Sequence, residues 1–168
     1  MKHIEGNFKS IRDLDIFYQG WLPDGKVKAV LLVVHGLGEH SGRYMNVVNY
    51  FVPLGYAIYG LDHIGHGKSG GGREEVVQFE DFTTPLTTFY TMVKSWQPDK
   101  PIFILGHSMG GLIECYYLLD HQDYFKGAII SAPAIKVGAS ISPMTITMGK
   151  ILSAIAPKAG ILALDANN

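Results

Sequence analysis

A chain of 168 residues, 47% of them hydrophobic, can bury one sizeable core. Its 14 basic and 15 acidic residues leave a net charge of −1, which excludes the positive surface that a nucleic-acid backbone requires. The single cysteine, Cys115, excludes an internal disulfide and a zinc-type or redox pair, and points to a reducing compartment. Residues 1–7 lack the apolar core of a secretory signal, and the longest apolar runs fall far short of the roughly 20 residues that span a bilayer. The expectation is a cytoplasmic protein, at most peripheral at a membrane.

Residues 2–9 and 14–21 alternate weakly about the polar connection Ser10-Ile11-Arg12-Asp13, which predicts an antiparallel pair at a sheet edge. Residues 27–34 are apolar nearly throughout, as in a strand buried on both faces by crossover helices; residues 56–61, 102–105 and 127–130 read the same way. Helical patterns follow the first and third of these strands, over residues 43–54 and 109–120. Between the second and third, a short mixed-charge cluster, Gly72-Arg73-Glu74-Glu75, reads as a solvated loop. Beyond it Phe79, Phe82, Leu86, Phe89, Val93 and Trp96 recur at spacings of three and four, an apolar helix face with Pro85 accommodated near its first turn. Alternating buried strands and helices predict an α/β fold with a mostly parallel, doubly wound sheet and a ligand site at the strands' carboxyl ends. From Ala134 the alternation breaks into a loop-like stretch and an apolar helix from about Met144 to Ile155, ended by Pro157 and Gly160. Residues 1–133 therefore read as the first part of the α/β core and residues 134–168 as the start of a helical cap.

Gly106-His107-Ser108-Met109-Gly110 matches G-x-S-x-G directly after an apolar strand and before a helix, where a nucleophilic serine is presented on a strained turn. Ser108 then stands at a helix N-terminus, where the Met109 N–H can hold the oxygen of an attacked carbonyl. A Gly/Ser-rich turn without chemistry is the alternative. His35-Gly36-Leu37-Gly38-Glu39-His40 ends the first buried strand, at the loop that contributes the second oxyanion donor in α/β-hydrolases, here the Leu37 N–H. Its histidines and glutamate lack further ligands at zinc-type spacing, so no metal or cofactor is expected. His63 and His66, in Asp62-His63-Ile64-Gly65-His66-Gly67, read as parts of a structural turn.

Three blocks in order, His35-Gly36-Leu37-Gly38-Glu39-His40-Ser41-Gly42-Arg43-Tyr44, Asp62-His63-Ile64-Gly65-His66-Gly67-Lys68-Ser69 and Gly106-His107-Ser108-Met109-Gly110-Gly111, together resemble the monoacylglycerol lipases of the α/β-hydrolase superfamily. The likeness spans nearly the whole chain. It implies an α/β-hydrolase fold and a serine carboxylester hydrolase that releases fatty acid and glycerol through an acyl-enzyme on Ser108, with the Leu37 and Met109 amides on the oxyanion. It also implies that Glu39 and Arg43 lie near the pocket for the glycerol head; a surface pair capping the following helix is the other reading. Lysophospholipid or broad ester cleavage shares every motif quoted.

In this fold the triad runs Ser, acid, His, and the last two come from loops after later strands. Only one strand pattern follows the Ser108 helix. His121, with Asp123 beside it, lies twelve residues along that helix, nearly 20 Å away at about 1.5 Å per residue, and is rejected as the base. The expectation is that the triad acid and histidine are not in this chain and that a C-terminal fragment of the same protein supplies them. Residues 1–168 alone would then be inactive and leave strand 127–130 as an open edge. A truncated binding protein that keeps the pocket without catalysis is the alternative. The apolar residues of 141–164 read as a lid over an acyl tunnel, in peripheral contact with a membrane, or else as a helix buried on both sides.

Overall fold

The computed structural model describes residues 1–73, 75–136, 144, 147, 148 and 151. The chain divides into two compact units, Met1–Pro133 and Ala134–Asn168. In the first, six strands form one sheet: β1 (Lys2–Lys9), β2 (Asp15–Leu22), β3 (Ala29–Val34), β4 (Tyr56–Leu61), β5 (Ile102–His107) and β6 (Gly127–Ser131). Their spatial order is β1-β2-β4-β3-β5-β6. β1 and β2 pair antiparallel from Lys2↔Leu22 to Lys9↔Asp15, and β2 pairs antiparallel with β4. The β4-β3, β3-β5 and β5-β6 pairs are parallel. The predicted antiparallel pair is thus present, with β1 at the edge and β2 joining it to the parallel strands.

Helices cover both faces, which explains why β3 tolerates no polar residue. Val30, Leu32 and Val34 join one cluster with Phe82, Leu86, Phe89 and Val93 of α2 (Glu80–Trp96) and Ile113 and Tyr117 of α3 (Met109–His121). Leu31 and Val33 point the other way, to Tyr44 and to Val48 of α1 (Met45–Phe51). From β3 the chain passes through α1 to β4 on one side, then through α2 to β5 on the other. The order in which strands are added therefore reverses at β3, and its carboxyl end borders the crevice where such sheets bind ligands.

Three expectations need correction. The helix read over residues 43–54 is a 3₁₀ turn, Ser41–Tyr44, followed by the short α1. Pro53 has no amide to extend the ladder, and the chain closes with two tight bonds, Leu54 N to Phe51 O and Gly55 N to Val52 O. Pro85 stands in the second turn of α2, not the first, and the burial of its ring in the core accompanies the lost backbone bond. β6 is not buried on both faces: it pairs with β5 alone among the described residues, and Ile129 and Ile130 are 46% and 44% exposed. An edge strand has no neighbour to shield its outer side. Of the apolar stretch 141–164 and its cap helix, only Met144, Thr147, Met148 and Ile151 are described; all four are helical, and the rest lies outside the described residues. No described helix is long and apolar enough to cross a membrane.

A long-range ion pair ties the β1-β2 connection to the start of α2. Arg12, in the left-handed region at φ 55°, donates Nη1 to Asp81 Oδ1 at 2.7 Å, and Val77 N–H donates to Asp81 Oδ2 at 2.9 Å. Asp81 is fully buried. Burial works to raise its pKa, but the Arg12 guanidinium and the Val77 amide outweigh it and hold the carboxyl below the usual range. Arg12→Ala should therefore cost about 2 kcal/mol in a denaturant titration at neutral pH, because a buried carboxylate loses its countercharge. A depressed acid stabilises above its unfolded pKa and loses that contribution as pH falls through its folded value. The difference between wild type and Arg12→Ala should accordingly shrink toward acid pH.

Candidate functional site

β5 runs straight into α3 through Ser108, whose φ of 54° and ψ of −117° lie outside the regions that L-residues favour. The contacts around this turn leave it little freedom. Ser108 N–H donates to Ser131 O at 3.0 Å, and Ser108 O accepts from Leu112 N–H at 3.1 Å. A Cβ on Gly110 would collide with the Val34 and His35 carbonyls, and one on Gly106 would lie 2.5 Å from Gly110 O. The helix therefore rests directly on the ends of β3 and β5, and the chain turns within a single residue.

The loop after β3 closes on the same point. A Cβ on Gly36 would lie 3.4 Å from Ser108 Cβ, so the loop and the serine are neighbours. Glu39 Oε2 accepts the Gly36 N–H at 2.9 Å and the Tyr44 hydroxyl at 3.0 Å, while Arg43 Nε stands 4.0 Å from Oε1. Burial opposes ionisation of Glu39, but the Gly36 amide, the Tyr44 hydroxyl and the charges of His107 and Arg43 hold its pKa below the usual value. Glu39 thus serves the shape of its own loop, and it also borders a pocket of about 90 Å³ with Gly38, His40, His66 and Arg73. Arg43 is not among that pocket's walls. Two amides, one directly after Ser108 and one directly after Gly36, find no acceptor among the described residues. The Leu37 N–H has no acceptor among the described residues, and the Met109 N–H, first in α3, has none within its helix.

Beneath the loop lies a layer of buried histidines. His35 Nδ1–H donates to Gly36 O at 2.8 Å and its Nε2 accepts His63 N–H at 2.9 Å, so the ring is held neutral in one tautomer. Burial pushes its pKa down to about 4, the Gly36 hydrogen bond opposing and His66 adding to the shift. His63 packs between His35 and Phe82 at centroid distances of 4.3 and 5.2 Å, and burial drives it well below the ordinary value. His66 meets Ile64 O at 2.9 Å, whereas neither ring nitrogen of His63 finds a partner among the described residues. Asp62 completes the layer by accepting Ser41 N–H, Ser41 Oγ–H and Lys68 N–H.

No histidine hydrogen-bonds the Ser108 hydroxyl among the described residues: His107 turns to Ser131 Oγ at 3.1 Å. His121 ends α3, the helix that Ser108 begins, and packs on Tyr117 and Tyr124. No group of described His, Cys, Asp or Glu residues could hold a metal ion. Sequence reasoning passed over Tyr44, which braces Glu39, and Glu114, a fully buried acid behind Ser108. A lone acid in the apolar run Leu112-Ile113-Glu114-Cys115-Tyr116-Tyr117-Leu118 was the available signal.

Buried and neutral, His35 and His63 make the layer acid-sensitive. Their folded pKa values lie below the unfolded one, so the unfolded chain binds more protons below about pH 6.5 and stability declines as pH falls from there. The thermal midpoint should drop over that range, and His63→Phe, which keeps an aromatic ring beside Phe82, should flatten the drop. A slope unchanged in His63→Phe would assign the acid sensitivity elsewhere.

The family described as serine aminopeptidase, S33, matches residues 25–168. The chain is 33% identical over 163 residues to a monoacylglycerol lipase of Mycolicibacterium smegmatis, covering 97% of this chain and 58% of that protein. It is 33% identical over 153 residues to the mouse (Mus musculus) monoglyceride lipase, covering 90% of this chain and 50% of the relative. A soluble variant of the monoglyceride lipase from Saccharomyces cerevisiae, solved with a substrate analogue, superposes with a TM-score of 0.81 at 24% identity, over 98% of this chain and 55% of that one. The chain thus spans about half the length of the curated relatives it matches. The fold is that of the α/β-hydrolases.

Proposed function

The chain belongs to the serine aminopeptidase S33 family of α/β-hydrolases, and from that membership we propose that Ser108 is the nucleophile of a carboxylester hydrolase whose substrate is a monoacylglycerol. The observation that carries the reading is the strained backbone of Ser108 at the turn into α3, with the loop residue Gly36 as its neighbour. A serine at φ 54° persists only where its surroundings enforce it, and such strain collects at reactive sites.

In this reading Ser108 Oγ attacks the ester carbonyl, and the oxygen that becomes negative is received by the Leu37 and Met109 N–H groups. The α3 dipole adds to their effect. Collapse of the tetrahedral species breaks the ester C–O bond, releases glycerol and leaves the acyl group on Ser108 until water removes it as the fatty acid. The histidine that moves these protons, and the acid that orients it, are assigned to the later part of the fold, in the order Ser, acid, His. Glu39 supports the step indirectly: its bond to Gly36 N–H orients the peptide that precedes Leu37. Glu39 at the small polar pocket, with Arg43 beside it, is the proposed neighbour of the glycerol head. Met144, Met148 and Ile151, helical and spaced four and three, expose apolar side chains and support peripheral contact with a lipid surface.

In the full-length protein Ser108→Ala should reduce monoacylglycerol hydrolysis at least about 100-fold without changing the thermal midpoint. Activity retained above that level would place the nucleophile elsewhere. Parallel assays with a lysophospholipid and an aminoacyl anilide decide the substrate class, since faster turnover of either would displace the monoacylglycerol reading.

A further inference from the structure

Glu114 is the fully buried acid whose two carboxyl oxygens both lack a hydrogen-bond partner among the described residues. It lies on the sheet-facing side of α3, six residues after Ser108. Its Oε2 stands 2.5 Å from the place a Gly106 Cβ would occupy, and the Gly110 carbonyl oxygen stands at the same distance from that place. Two oxygens of one helix therefore converge on the Cα of Gly106, the residue that leads into the nucleophile turn. A carboxylate in that position faces a carbonyl oxygen and repels it, whereas a carboxylic acid carries a proton to offer.

The surroundings favour the acid form. The amides of Gly106 on β5 and Ile129 on β6 face the carboxyl and favour its charge, yet burial prevails and pushes the group up to about 7. β3 and β6, with sequences AVLLVV and GAIIS, carry no titratable side chain. Around them His35 follows β3 and His107 ends β5. α2 carries Glu80, Asp81, Tyr90 and Lys94, and α3 itself Cys115, Tyr116, Tyr117, Asp120 and His121; none of these shifts Glu114.

We propose that Glu114 is a positioning residue of the Ser108 turn that works in its protonated form, so that its ionisation turns the nucleophile down toward alkaline pH. The inference rests on Ser108 being the nucleophile. Ionised, Glu114 places an unpaired charge behind the turn, where it opposes the negative charge that forms in front of the same helix end and pushes on the Gly110 carbonyl. Protonated, it leaves the helix seated on Gly106.

The test is the rate of covalent labelling of the full-length protein by a fluorophosphonate, measured across neutral and alkaline pH. Wild type should lose about tenfold in rate on the alkaline side with a midpoint near neutrality, while Glu114→Gln keeps its neutral rate throughout and matches wild type within about threefold at acid pH. Glu114→Met provides the second variant if the amide destabilises the fold, and should be equally insensitive. An absent alkaline fall in wild type, or the same fall in the variants, overturns the inference while Ser108-dependent labelling leaves the nucleophile reading intact. Labelling that survives Ser108→Ala, or no labelling at any pH, overturns both.

Discussion

Helix α3 rests on the carboxyl ends of β3 and β5 with no side chain between, because Gly110 meets the Val34 and His35 carbonyls and Gly106 meets the carbonyl of Gly110. That contact forces the chain from strand to helix within one residue, and Ser108 takes the backbone strain, about 1–3 kcal/mol for such a conformation. The strain is held by burial elsewhere. Val34, Ile104 and Ile113 anchor the two strands and the helix in one apolar cluster, so the turn cannot relax without opening that core.

The same contact decides where the loop after β3 can go. Its second residue, Gly36, neighbours the Ser108 side chain, and Glu39 then ties the loop to itself through the Gly36 amide. Below it, His35 bridges the Gly36 carbonyl and the His63 amide, joining the ends of β3 and β4. Asp62, Ser41 and Gln19 extend the polar network to β2. Asp62 meets three donors in this layer, while His35 and His63 stay neutral because a dry interior disfavours their protonated form. The geometry of the loop that carries the Leu37 amide thus depends on the buried polar residues beneath it.

The polarity of the sheet follows from its connections. Crossovers through α1 and α2 on opposite faces place the reversal of strand order at β3, so the loop after β3 and the turn after β5 are adjacent there though some 70 residues apart in sequence. At the far side β6 ends the sheet with two isoleucines nearly half exposed, an apolar edge of the kind that parallel sheets ordinarily cover.

Local physics in the sequence was enough to read the order of strands and helices, the antiparallel start and the Ser108 turn. Strand burial shows as unbroken apolar runs such as Ala29–Val34, helix faces as spacings of three and four, and a forced turn as glycines on both sides of a serine. These signals lie within a few residues of what they describe. Tertiary structure alone decided the rest, because burial and partners are set by segments distant in the chain. Gly127-Ala128-Ile129-Ile130 reads like any buried strand, yet its place at the sheet edge exposes it. Arg12 looks like a loop residue until Asp81 is folded against it, and Glu39 like a surface acid until its oxygen meets Gly36 N–H and Tyr44. Glu114 occupies an ordinary helical position, and only the packing of α3 on the sheet makes it a fully buried acid behind the serine.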